Sequence, residues 1–74
     1  RLLFMADNDA LRIARARHQV TQRDAADAIG ASQTTYWQIE HGYISPTPAQ
    51  QKALAKLLLT PIAELFPESE AQAS

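Results

Sequence analysis

Between Gly30 and Gly42 the chain reads GASQTTYWQIEHG. Ser32, Gln33, Thr34, Thr35 and Gln38 supply five uncharged hydrogen-bonding side chains, with Tyr36 and Trp37 set among them. An amide carries donors and an acceptor side by side, and a hydroxyl serves as either. Such groups suit matching a pattern of hydrogen bonds better than making or breaking covalent bonds. A core helix needs an apolar stripe, and a solvated helix is usually rich in Lys and Glu. This stretch is neither, so its polar side chains ask for a partner.

Catalysis has little to work with. There is no nucleophile–base–orienter set and no glycine-rich phosphate loop, and neither histidine stands in a ligand motif. No enzyme activity, metal or cofactor is expected. The absence of cysteine removes disulfides and thiolate zinc sites as staples and fits a reducing cytoplasm. No apolar run approaches the ~20 residues of a membrane span, and no complete signal peptide is recognisable. A chain of 74 residues makes one small domain, which buries only about 60% of its unfolded surface and has a thin stability margin.

The formal net charge of −1 argues against a nucleic-acid partner until it is located along the chain. Residues 11–60 hold six Lys and Arg against three Asp and Glu; the other acids gather at the two ends. Screening limits electrostatic reach to roughly 10 Å at ordinary salt, so local charge governs docking to phosphates. The middle is mildly basic, which permits DNA binding without demanding it.

These residues need elements to position them. Alanine is abundant and no alternating β-branched run occurs, so the fold class is all-α. Asp7 to Asp9 can cap a first helix running to about His18. Thr21 and Asp24 form a capping box for a second helix, which Gly30 ends. Ser32 caps a third that Gly42 stops, with His41 placed favourably at its negative end. Thr47-Pro48-Ala49-Gln50 opens a fourth, and Thr60-Pro61 repeats the device for a short fifth that Pro67 terminates. Residues 1–6 read as an N-terminal extension, 7–67 as the domain and 68–74 as a polar tail. The inward faces put Leu11, Ile29, Tyr36, Ile39, Leu54, Leu57, Ile62 and Leu65 in the core. The second and third helices are joined by about three residues, which forces a steep helix-turn-helix crossing, and small Ala26 allows close approach.

VTQRDAADAIGASQTTYWQIEHG resembles the helix-turn-helix of the phage-repressor (lambda-repressor-like, Cro/Xre-type) family. The likeness rests on Thr21-Gln22, Ala26, Ile29-Gly30, Ser32, Ile39 and Glu40-x-Gly42, and extends from Leu11 to about Phe66. Each element alone is weak; in order over roughly 55 residues they are specific. The resemblance implies a compact five-helix DNA-binding domain of a bacterial or phage-encoded, cytoplasmic regulator.

It also implies roles. Gln22 would bind a DNA phosphate, with Arg23 and Tyr43 as further phosphate contacts. Gln33, Thr34 and Gln38 would face the major groove, where Gln can pair with adenine N6 and N7 and Thr can touch a thymine methyl. Without the motif, Gln and Thr on a helix surface are most often simply solvated. Trp37 keeps two readings: contact with a DNA sugar or methyl, or packing over neighbouring helices or a dimer partner. Arg15 and Glu40 match a family pair that forms a largely buried salt bridge; the bland alternative is two unrelated surface charges.

Three positions depart from the family. Gln19 stands where Gly is common, so the first helix must end without an easy left-handed residue or not adopt one at all. Ala14 and Ala25 replace larger apolar residues, leaving a thin core for aromatics or the N-terminal Leu2, Leu3 and Phe4 to fill.

Family members pair to read two half-sites, which implies a homodimeric repressor on a pseudo-palindromic double-stranded operator. Leu58, Ile62, Leu65 and Phe66 exceed what a short last helix needs, and some of them are expected to form the dimer contact, on DNA if not before. The rival function is a helical protein-interaction module, such as an antitoxin-like or co-regulator subunit, with weak DNA binding of its own. Loss of binding to every duplex at low salt would favour that rival.

Overall fold

The computed structural model describes residues 8–67. Their elements are α1 (Asp9–Arg17), α2 (Gln22–Ala28), α3 (Gln33–Glu40), α4 (Pro48–Leu58) and α5 (Ile62–Leu65). The fold is all-α, with five helices and no strand among the described residues. The extension, the tail and the compensating role given to Leu2, Leu3 and Phe4 lie outside them.

Four helices start on local side-chain caps. Asn8 accepts a hydrogen bond from the Leu11 N–H at 2.9 Å and opens α1. Thr21 and Asp24 exchange hydrogen bonds at 3.0 and 3.2 Å across the start of α2. Ser32 accepts from the Thr35 N–H at 3.1 Å, and Thr47 and Gln50 make a second capping box ahead of Pro48. Each cap stabilises its helix by about 1 kcal/mol.

The fifth start corrects the sequence expectation. Thr60 does not cap α5; its hydroxyl donates to the Leu58 carbonyl at 2.8 Å, and Pro61 occupies the cap position with no side-chain bond. Thr60 is turned inward and buried, so its hydroxyl takes the nearest carbonyl left open at the end of α4.

The helix ends share one device. After each of α1 to α4 a left-handed residue lets two successive N–H groups fold back onto the last turn, the Schellman arrangement. Gly30 (φ 67°) and Gly42 (φ 84°) supply it after α2 and α3, as their residue type suggests. Gln19 (φ 56°) and Leu59 (φ 50°) supply it after α1 and α4. The bonds at Gln19 are Val20 N–H to Arg15 O at 2.9 Å and Gln19 N–H to Ala16 O at 3.2 Å. At Leu59 they are Thr60 N–H to Ala55 O at 3.1 Å and Leu59 N–H to Lys56 O at 3.4 Å. The first helix thus adopts the left-handed end despite lacking its glycine.

The core joins Leu11, Ala14, Ala25, Ala26, Tyr36, Ile39, Leu54, Leu58, Leu65 and Phe66. Ile29, Leu57 and Ile62, placed in the core from the sequence, are only half-buried at its margin. Conversely, Leu58 and Leu65 have no exposed surface and Phe66 only 6%. The assignment of Leu58, Leu65 and Phe66 to a dimer contact is therefore corrected: α4 and α5 pack on each other and α5 on α1, which uses these three side chains inside one chain and leaves half-buried Ile62 as the member of the set with surface to offer. Ala14 and Ala25, small as they are, sit fully inside and let the helices approach closely.

Candidate nucleic-acid interface

The short α2–α3 link sets α3 across α2, and α2 makes its most extensive contact there. Ser32 fixes the register of α3, so Gln33 and Thr34 are its first two residues and both are exposed. Gln22, Gln33, Thr34 and Trp37 line one open recess between the two helices. Arg23 and Tyr43 are exposed, whereas Gln38 is half-buried one turn beyond Thr34. The backbone carbonyl of Gln38 also closes the end of α3, accepting from the Tyr43 N–H at 2.8 Å.

Behind this surface lies Glu40, only 3% exposed. Its carboxylate accepts four hydrogen bonds. Arg15 supplies two, Nε to Oε2 at 2.7 Å and Nη2 to Oε1 at 3.1 Å. The Tyr36 hydroxyl donates to Oε2 at 2.9 Å, and Gln22 Nε2 donates to Oε1 at 3.1 Å. Arg15 Nη1 donates further to the Val20 carbonyl at 3.1 Å. One buried carboxylate thus ties α1, α2 and α3 together. Burial alone would push the Glu40 carboxyl up, but the hydrogen bonds from Arg15, Gln22 and Tyr36 outweigh it and hold Glu40 below the usual carboxylate range. The hydrogen bond to Glu40 raises the Arg15 guanidinium against the opposing effect of burial. Desolvation, then the neighbouring carboxylate, pushes the Tyr36 hydroxyl well above its ordinary value.

Trp37 is 41% exposed and belongs to an aromatic cluster at the end of α3. Its ring centroid lies 4.2 Å from that of His41 and 5.8 Å from that of Tyr43, the latter stacked at 14°. Neither alternative weighed for Trp37 included these partners. Both follow it within six residues, but only the turn at Gly42 brings Tyr43 back over the helix.

Asn8 also escaped notice within the Asp7–Asp9 stretch. Besides capping α1, its Nδ2 donates to the Leu65 carbonyl at 2.8 Å and its backbone N–H to the Glu40 carbonyl at 2.7 Å. It clamps the end of α3 to α5.

Residues 9–66 match the model of a family described as a helix-turn-helix domain. The chain belongs to this family. No curated protein matches it significantly. The helix-turn-helix domain is similar in structure to the clp gene regulator ClgR from Corynebacterium glutamicum, in two crystal structures. One, at 26% identity and a TM-score of 0.71, covers 100% of this chain and 96% of its own. The other, at 26% identity and 0.75, covers 97% of this chain and 77% of its own. No described helix is long and apolar enough to cross a membrane.

Proposed function

We propose that this helix-turn-helix domain is a DNA-binding transcriptional regulator, a repressor that reads a pseudo-palindromic operator in the major groove as a homodimer. Family membership and similarity to a gene regulator support the regulatory class. The observation that carries the reading is the exposed pair Gln33 and Thr34 opening α3, beside Gln22 in the same recess. Uncharged side chains there can meet base edges without stranding a charge against a wrong base. Gln33, Thr34 and Gln38 are the base readers, and Gln22, Arg23 and Tyr43 the phosphate contacts. Trp37, held by His41 and Tyr43, offers a rigid apolar edge to a sugar or methyl group. Selection of bound sequences from random duplex DNA tests this; a two-fold symmetric motif is the expected outcome, and no enrichment at low salt would overturn it.

One observation favours a second reading. Trp37, Tyr43 and Ile44 expose 41%, 56% and 41% of their surface close together in sequence, as a protein-docking patch would. Retained partner binding with no affinity for any duplex would choose that reading.

A further inference from the structure

The hydrogen bond between Gln22 and Glu40 joins the recess to the interior, and its chemistry has a direction. A carboxylate only accepts, so Glu40 takes the nitrogen end of the Gln22 amide. Flipping the amide by half a turn would set its oxygen against a buried anion. Glu40 cannot relax to accommodate that flip, since its two oxygens are also held by Arg15 and Tyr36. Gln22 is thereby left with one Nε2 hydrogen uncommitted by this bond, in a side chain that borders the open recess.

We propose that Glu40 is a positioning residue for nucleic-acid binding, holding the Gln22 amide in the one orientation that keeps its nitrogen available to donate to a phosphate. Glu40 is buried and touches no nucleic acid; it acts through Gln22. This rests on Gln22 being a phosphate contact. Fixing one long side chain before binding spares ordering cost, worth about three- to tenfold in affinity.

A carboxamide at position 40 has one oxygen for donors that now use two, and Arg15 claims it first. Glu40→Gln should therefore release Gln22. Affinity for a mixed-sequence duplex at low salt is to be measured for the native domain, Gln22→Met, Glu40→Gln and the double variant; phosphate contacts need no particular sequence. Where Glu40→Gln fails to fold, the pair Arg15→Met with Glu40→Met takes its place, since it strands no charge and leaves Gln22 no acceptor at position 40.

The expected result is that the change at Glu40 weakens binding about three- to tenfold in the native background and leaves it unaltered in the Gln22→Met background. Equal losses in both backgrounds would mean a general structural role and overturn the proposal while Gln22 stays a phosphate contact. Unchanged affinity in Gln22→Met would instead remove the reading on which it rests. The native domain alone gives a second check by nuclear magnetic resonance. The Gln22 side-chain amide should show two well-separated protons with slowed exchange, and amide signals like those of exposed Gln33 would overturn the proposal without any DNA.

Discussion

At the scale of single residues, charge and burial separate side chains that look alike in the sequence. Arg12 and Arg15 lie one turn apart, and each pairs with an acid. Arg12 meets Asp9 at 2.8 Å, with 53% and 67% of the two side chains exposed, so that bridge is worth at most about 1 kcal/mol. Arg15 meets Glu40 with 16% and 4% exposed. Removing Arg15 leaves a buried carboxylate short of its main donor. Arg15→Ala should cost about 3–5 kcal/mol, against less than about 1 for Arg12→Ala, in urea unfolding. Equal effects would show that the buried pair contributes nothing special.

The same group sets an acid limit. The Glu40 carboxyl is held below its ordinary 4.5, so its contribution is complete above about pH 4.5 and is lost as pH falls through the lower folded value. Tyr36 acts oppositely: its raised hydroxyl contributes fully below its ordinary 10.0, and that part is lost as pH rises past it. Urea midpoints from pH 3 to 11 should therefore fall at both ends. Tyr36→Phe should flatten the alkaline side.

The glutamines divide as well. Gln22→Ala should weaken binding to all duplexes by a similar factor, because phosphates carry no sequence. Gln33→Ala should lose roughly 1–3 kcal/mol mainly on the selected operator and relax preference at one position of each half-site. A uniform loss for Gln33→Ala, with the base profile unchanged, would place the wrong face of α3 in the groove.

At the scale of elements, the helix ends offer stabilisation that the natural residues forgo. Gln19 and Leu59 hold left-handed backbones that cost a side chain roughly 1 kcal/mol relative to glycine. Both are exposed, so little packing is at risk. Gln19→Gly and Leu59→Gly should each raise stability by about 0.5–1 kcal/mol, additively, in thermal or urea unfolding. The converse test is Gly30→Ala. A Cβ there meets nothing within 4 Å, so the cost, about 1 kcal/mol, is backbone strain alone and Gly30→Asn should recover part of it. A loss much above that would mean the α2–α3 turn depends on something other than its left-handed residue.

At the scale of the whole molecule, the burial of Leu58, Leu65 and Phe66 moves any dimer contact elsewhere. Leu59 and Ile13 are the apolar side chains of the helical frame that remain most exposed away from α3, at 78% and 54%. A single α3 reads few base pairs, so two copies on half-sites about 34 Å apart remain the proposed unit. Two protein chains per duplex at saturation, on a symmetric site, is the expected stoichiometry. One chain on an asymmetric site would sink it. Arg23 is the one cation among the proposed phosphate contacts, so the salt dependence of binding should be shallow, and Arg23→Ala should reduce the slope by about one unit.

What the sequence alone determined is local. Thr21 with Asp24, Ser32 and Thr47 with Gln50 each join residues three apart, so the chain carries its own start signals for α2, α3 and α4. Those starts set the helical register, and with it the exposed Gln33 and Thr34 and the buried Tyr36 and Ile39. Glycine marked two of the four left-handed ends for the same reason, because its freedom is a property of the residue. The other two ends fall on Gln19 and Leu59, where strain is tolerated because the following chain must turn back to pack, and nothing in either residue announces it. Thr60 looked like a cap and became a buried donor once that turn was made. Leu58 and Phe66 looked surplus until α5 packed against α1 and α4. The three partners of Glu40 come from α1, α2 and its own helix, 25, 18 and 4 residues away. Only the crossing of those helices decides that one carboxylate serves them all, because desolvation and shared hydrogen bonds depend on what arrives from elsewhere in the chain.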